Sequence, residues 1–227
     1  MNNKIIIAID AMGGENAPAK NIEGVSIYLK KNNKKKDVFF NLYGDENLIK
    51  KEISKYNISL DFYKIFQSST VVSDEQTPLT AIKNSKDSSM WNSINSQIVS
   101  DSNITLSAGN TGVLFVVSRM LLKTIESVSK PALAGLWPNE KNMNVVLDLG
   151  ANVECDEKNL IDFSEMGSAL YKALFIEDTP KVALLNIGSE EIKGTEVLKK
   201  AYTKLKEISK NGDFEFNGFI EGNKITE

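Results

Sequence analysis

The sequence predicts an α/β fold built on a mostly parallel sheet covered on both faces. Short apolar runs at 5–9, 38–43, 104–106, 145–147 and 182–187 have the character of strands buried on both faces. Helical segments alternate with these runs, so consecutive strands are joined by crossovers. Several runs also end in turns rich in Gly, Asn, Asp and Ser, and right-handed crossovers place such turns along one sheet edge, where ligands of these folds bind.

Residues 5–9 read as the first strand, ending in Asp10-Ala11-Met12-Gly13-Gly14, and Pro18 suits the start of a helix that runs into the lysines at 30–36. Residues 38–43 form the second strand, and Gly44-Asp45-Glu46 turns the chain into a helix carrying Leu48, Ile49 and Ile53. A third strand is expected at 58–66, then a polar loop to Thr77 and a helix start at Pro78. Between Leu79 and Ser100 two helical segments are separated by Ser85-Lys86-Asp87-Ser88-Ser89, where Asp87 or Ser88 suits an N-cap. The stretch 104–115 reads as a buried strand, a Ser107-Ala108-Gly109-Asn110-Thr111-Gly112 turn and an apolar helix through about Leu122. Strands are expected near 132–138 and at 145–147, the latter leading into Asp148-Leu149-Gly150-Ala151-Asn152. A helix over 160–175, a buried strand over 182–187, a helix over 196–208 and a strand near 214–220 complete the chain. No repeat or linker marks a boundary, so residues 1–227 are expected to form a single domain.

Composition narrows the chemistry. A net charge of −3 gives no reason to expect nucleic acid as a partner, and the lysines at 30–36 read as a solvated helix end. One cysteine excludes an internal disulfide and fits a reducing compartment; no signal peptide or membrane span is expected. The chain has no histidine, which removes the commonest general base and any His-ligated metal. Gly13-Gly14 lacks the dinucleotide fingerprint, and no phosphate-loop Gly-Lys-Ser/Thr is present. What remains is a set of turns carrying backbone amides, the Ser107 and Thr111 hydroxyls, the carboxamides of Asn110, Asn152 and Asn186, the carboxylates of Asp10, Asp87 and Asp148, and the cations Lys86 and Lys193. This set suits a small oxyanion better than a metal, because the aspartates are scattered singly. Neither metal nor cofactor is expected.

Five blocks then carry a resemblance: Asp10-Ala11-Met12-Gly13-Gly14, Lys86-Asp87-Ser88-Ser89-Met90, Ser107 to Gly112, Asp148-Leu149-Gly150-Ala151-Asn152-Val153, and Leu185-Asn186-Ile187-Gly188 with Glu190-Glu191 and Lys193-Gly194. In their order along nearly the whole chain they resemble the phosphate acyltransferases of bacterial phospholipid synthesis, the PlsX family. The resemblance implies a Rossmann-like three-layer α/β sandwich similar to phosphotransacetylase and isocitrate-dehydrogenase-like folds. It implies transfer of a fatty acyl group from acyl carrier protein to inorganic phosphate by a cytoplasmic homodimer, loosely membrane-associated, with a glycerol-3-phosphate acyltransferase downstream. Glu15 stands where the family usually has Asp, the basic run before the Lys-Asp-Ser-Ser block is thinned, and the chain looks like the family's first two-thirds, truncated at the C-terminus.

Phosphate is already an anionic nucleophile, so it attacks a thioester without a histidine if a site holds it and stabilises the oxyanion. The expected catalytic residues are Asn110, Asp148, Asn152 and Lys86. The expected substrate-binding residues are Asp10, Gly13, Asp87, Ser88, Ser107, Gly109, Thr111, Gly112, Asn186, Gly188 and Lys193. Phosphate is assigned to the Ser107–Gly112 turn with Lys86 or Lys193 as charge partner, and Asn110 or Asn152 as oxyanion donor. Two alternatives stay open: a phosphotransacetylase acting on acyl-CoA, and a noncatalytic fragment or binding domain.

Overall fold

Alternation along β1 (Ile5–Asp10) decides the layering of the first half of the chain. The computed structural model describes residues 4–32, 37–73, 85–176 and 178–227. Within them the chain groups into two compact units, residues 1–123 and 124–227, a division that no change in composition announces.

In the first unit β1 lies between β2 (Val38–Gly44) and β4 (Ile104–Ser107), with β3 (Tyr63–Gln67) beyond β2, all parallel. Helices α1 (Ala19–Lys31) and α2 (Glu46–Tyr56) bury Ile22, Val25, Leu29, Ile49 and Ile53 against Ile9, Phe40 and Leu42. Each fully buried aliphatic side chain of this layer contributes roughly 1.5–3 kcal/mol. Side chains in a strand alternate, so Ala8 and Asp10 face the other way, toward α3 (Ser89–Ile98), which packs on β1, β2 and β4. Met90 and Ile94 of α3 meet Val113 and Val117 of α4 (Thr111–Leu122) in a second core. Helix, sheet and helix make the expected three layers.

Several expectations need adjusting. The run 58–66 is not one strand: Ser59 caps a single 3-10 turn over Leu60–Phe62, and β3 begins only at Tyr63. Strand β4 has one hydrogen-bonded neighbour, β1, among the described residues, and Ile104 and Leu106 are about half exposed at 46% and 48%. The helix start at Pro78 and the first part of 79–100 lie outside the described residues.

In the second unit β5 (Gly135–Pro138) and β6 (Met143–Val146) pair antiparallel. The reason is the four-residue link 139–142, too short for a crossover. Asn139 closes it, its side-chain oxygen accepting from the Lys141 and Asn142 amides at 2.9 and 2.5 Å. Helix α5 (Glu157–Leu174) starts at a capping box between Asp156 and Asn159. Strands β7 (Lys181–Asn186) and β8 (Glu215–Glu221) are parallel and joined through α6 (Glu196–Ile208), whose Ala201 and Leu205 pack with Leu184, Phe214 and Phe219. Leu185 and Ile187, expected in a buried strand, are exposed. The described strands thus fall in three hydrogen-bonded sheets, and the turns after β1 and β4 share the carboxyl edge of the first.

Candidate functional site

Asp10 and Ser107 are directly paired across β1 and β4 at the carboxyl ends of both strands. Asp10 is 1% exposed, and the Ser107 hydroxyl donates to its Oδ2 at 2.7 Å. The same hydroxyl oxygen accepts the Gly109 N–H at 3.1 Å, which bends the chain sharply after β4. Gly13 closes over this pair: a Cβ there would lie 2.5 Å from Asp10 Oδ2, 2.9 Å from Gly109 N and 3.0 Å from Ser107 Oγ. Only a glycine lets the two turns sit this close. Burial raises the Asp10 pKa from its ordinary 3.8, opposed by hydrogen bonding from Ser89 and Ser107 and from the Met12 and Gly13 backbone. Its other oxygen, Oδ1, and the Ser89 hydroxyl are both buried without a hydrogen bond of ordinary geometry, although that hydroxyl still stabilises the charged carboxyl.

Asn110 is the N-cap of α4, its side-chain oxygen accepting from Val113 N at 3.0 Å. The following amides, Thr111 and Gly112, open the helix and have no intrahelical acceptor; both residues are exposed. They form the anion-ready end of a twelve-residue helix. Ser88 caps α3 by accepting from Trp91 N at 3.1 Å, so it plays the capping role the sequence allowed it. Lys86 and Asp87 are exposed just before that cap, Asp87 with φ of 67°. The sequence passed over Ser89 as a site residue. It neighbours Ser88 in the same block, and only the start of α3 decides which serine caps and which faces Asp10.

The second unit holds two networks of its own. Asp148 Oδ1 accepts from Leu133 N at 2.7 Å, and its Oδ2 accepts from Asn152 N at 2.8 Å and Asn152 Nδ2 at 3.1 Å. Asn152 also donates to the Pro131 carbonyl at 2.8 Å. These bonds fasten the loop after β6 to the segment 131–133. Asn186 donates to the Lys193 carbonyl at 3.1 Å and accepts from Ile187 N at 2.9 Å, stapling the loop that contains Gly188. Gly194, at φ of 90°, leaves room for that carboxamide. Lys193 pairs with Glu190 at 2.8 Å, which raises the lysine pKa and lowers the glutamate's. Cys155 carries a raised pKa, chiefly from burial, with Lys130 opposing and Asp148 and Asp156 adding to the rise. Among the described residues no group of three acidic, histidine or cysteine side chains is placed to hold a metal ion.

Parallel strands ending in tight glycine turns at helix starts, layered between helices, define a Rossmann-like α/β protein. Its fold is that of the phosphotransacetylases. The EutD phosphotransacetylase from Staphylococcus aureus superposes with a TM-score of 0.67, over 97% of this chain and 69% of that one, at 12% identity. A phosphotransacetylase from Streptococcus pyogenes superposes at 0.68, over 96% and 68%, again at 12% identity. Residues 5–227 match the family described as fatty acid synthesis protein, and the chain belongs to that family. It is 50% identical over 225 residues to the phosphate acyltransferase of Pelagibacter ubique, covering 99% of this chain and 66% of that relative. It is 36% identical over 220 residues to the phosphate acyltransferase of Maricaulis maris and 39% identical over 217 to that of Ehrlichia ruminantium. Those alignments take in 97% and 96% of this chain, against 62% and 63% of the relatives, so the chain spans somewhat less than two thirds of their length.

Proposed function

We propose that the chain is part of an acyltransferase that moves a fatty acyl group from acyl carrier protein to inorganic phosphate, yielding an acyl phosphate for phospholipid synthesis. The observation that carries this reading is the pair of interlocked turns after β1 and β4, which leaves the amides of Thr111 and Gly112 at the start of α4 without intrahelical partners. Membership of the family whose curated relatives are named phosphate acyltransferase supports it. Phosphate held at the helix start presents an oxygen nucleophile to the thioester carbon. The C–O bond forms, the tetrahedral oxyanion collapses, the C–S bond breaks and the carrier thiolate leaves. Lys86, exposed before α3, is the cation proposed to lower the charge of the bound anion and the leaving thiolate.

Homodimer formation, a cytoplasmic location with peripheral membrane contact, and a downstream glycerol-3-phosphate acyltransferase belong to the same proposal. No helix among the described residues is long and apolar enough to cross a membrane.

The test is incubation of the protein, carried to the length of its relatives, with phosphate and either acyl-acyl carrier protein or acyl-CoA. Acyl phosphate from the carrier-protein substrate supports the reading. Product from acyl-CoA alone favours a phosphotransacetylase, as the fold of the structural neighbours allows. No product from either favours a noncatalytic role.

A further inference from the structure

We infer that Asp10 is a positioning residue, which fixes the Ser107 hydroxyl so that its oxygen holds the Gly109 amide, and thereby shapes the anion-binding turn without touching the anion. The inference rests on the proposed phosphate site and assigns the parts within it. At 1% exposure Asp10 is out of reach of any ligand. The single proton of the Ser107 hydroxyl is directed at Asp10 Oδ2, 2.7 Å away, so that hydroxyl has none to offer phosphate. Its lone pair takes the Gly109 N–H, which removes that amide from the donor set as well. Asn110 Oδ1 takes the Val113 N–H. The amides of Thr111 and Gly112, which have no intrahelical acceptor, are the backbone donors that open α4, and their direction depends on the bend that the Asp10, Ser107 and Gly109 chain imposes.

Two further observations support this assignment. The space that Gly13 leaves is bounded by all three members of the chain, so the turn after β1 is seated on the turn after β4 rather than merely beside it. The second carboxyl oxygen of Asp10 lies buried with the Ser89 hydroxyl, at the start of α3, two residues past the exposed Lys86–Asp87 pair. One buried acid thus connects three segments: the turn after β1, the turn after β4 and the start of α3. The groups that contribute to its titration are the Ser89 and Ser107 hydroxyls and the Met12 and Gly13 amides, with no charged side chain among them. An Asn at this position keeps one side-chain oxygen that can accept from Ser107.

The experiment compares wild type, Asp10→Asn, Asp10→Ala, Ser107→Ala and the Asp10→Ala/Ser107→Ala double variant, all at the relatives' length, by initial rates and by melting in a titration with inorganic phosphate. Asp10→Ala and Ser107→Ala are each expected to raise the KM for phosphate about tenfold, with the KM for the acyl donor within about twofold, because the acceptor site is disturbed and the donor site is not. The double variant is expected to match either single one, since residues acting in one chain are not additive. Asp10→Asn, which keeps an oxygen for Ser107, is expected to stay within about threefold of wild type. An unchanged phosphate KM in Asp10→Ala, additive losses in the double variant, or an Asp10→Asn variant as damaged as Asp10→Ala would each overturn the assignment. Should Asp10→Ala not fold, the comparison of Asp10→Asn with Ser107→Ala decides. A wild-type protein that binds phosphate in the melting titration but makes no acyl phosphate would sink the acyl-transfer reading alone. The same variants would then be scored by their phosphate-dependent melting shift. No shift in wild type overturns both.

Discussion

Asp148 and Asn152 are joined twice, the backbone amide and the side-chain amide of Asn152 both donating to Asp148 Oδ2, at 2.8 and 3.1 Å. With Leu133 N on the other oxygen, the carboxylate accepts three hydrogen bonds from two segments of chain. Asp148→Ala is therefore expected to lower stability by about 1–3 kcal/mol, since it leaves three donors without their acceptor. Asp148→Asn, which gives up one acceptor oxygen, should cost less. Urea unfolding of both variants checks this, and an Asp148→Ala variant with wild-type stability would leave the loop-fastening role without support. Any loss of transfer in Asp148→Ala must accordingly be read beside its melting curve.

Asn110 is expected to separate two roles. Removing the α4 cap in Asn110→Ala should cost about 0.5–2 kcal/mol, whereas Asn110→Ser and Asn110→Asp restore a side-chain acceptor for Val113 N. If the carboxamide also stabilises an oxyanion, Asn110→Ala and Asn110→Asp should both lose roughly a hundredfold in transfer, because the loss follows the missing N–H donor and not the cap. Recovery of rate together with stability in Asn110→Asp would confine Asn110 to capping.

Titration of Asp10 gives a sign that can be measured. Its carboxyl pKa is raised by burial, so the folded protein holds this proton to higher pH than the unfolded chain. The resulting stability is fully present below the ordinary value of 3.8 and is lost as pH rises through the folded value. Asp10→Asn should remove that decline and flatten stability against pH on the acid side of neutrality, as read from urea midpoints. A slope equal to that of wild type would mean that the carboxyl titrates normally.

Cys155 tests the order of events. Its thiol pKa is raised chiefly by burial, with Lys130 opposing and Asp148 and Asp156 adding smaller increases. A thiol held neutral is a poor nucleophile, so direct attack by phosphate in a ternary complex is the expected course. Cys155→Ser should keep activity within about threefold, and initial rates varied in both substrates should intersect. Parallel lines with an inactive serine variant would instead indicate an acyl-cysteine.

Much of the fold and part of the site are legible in the sequence. Unbroken apolar runs such as Ile5 to Ile9, each followed by a glycine turn and a helix, specify strand, turn and helix locally, because burial on both faces and the start of a helix impose those residue types. The five motif blocks specify the family. Tertiary structure decided what local pattern leaves open. How far a strand is buried depends on its neighbours, which is why Ile104 and Leu106 read as buried and are half exposed. The apolar pattern marked two strands near 132–138 and 145–147 but not their direction, and their pairing across a four-residue link makes β5 and β6 an antiparallel hairpin. Among the polar residues, the sequence names Asp10, Ser107, Asp148, Asn152 and Asn186 but not how their hydrogen bonds are used. Each donor or acceptor can serve a ligand or the protein's own backbone, and that choice is made by distance and burial, which arise only when separate turns are brought together.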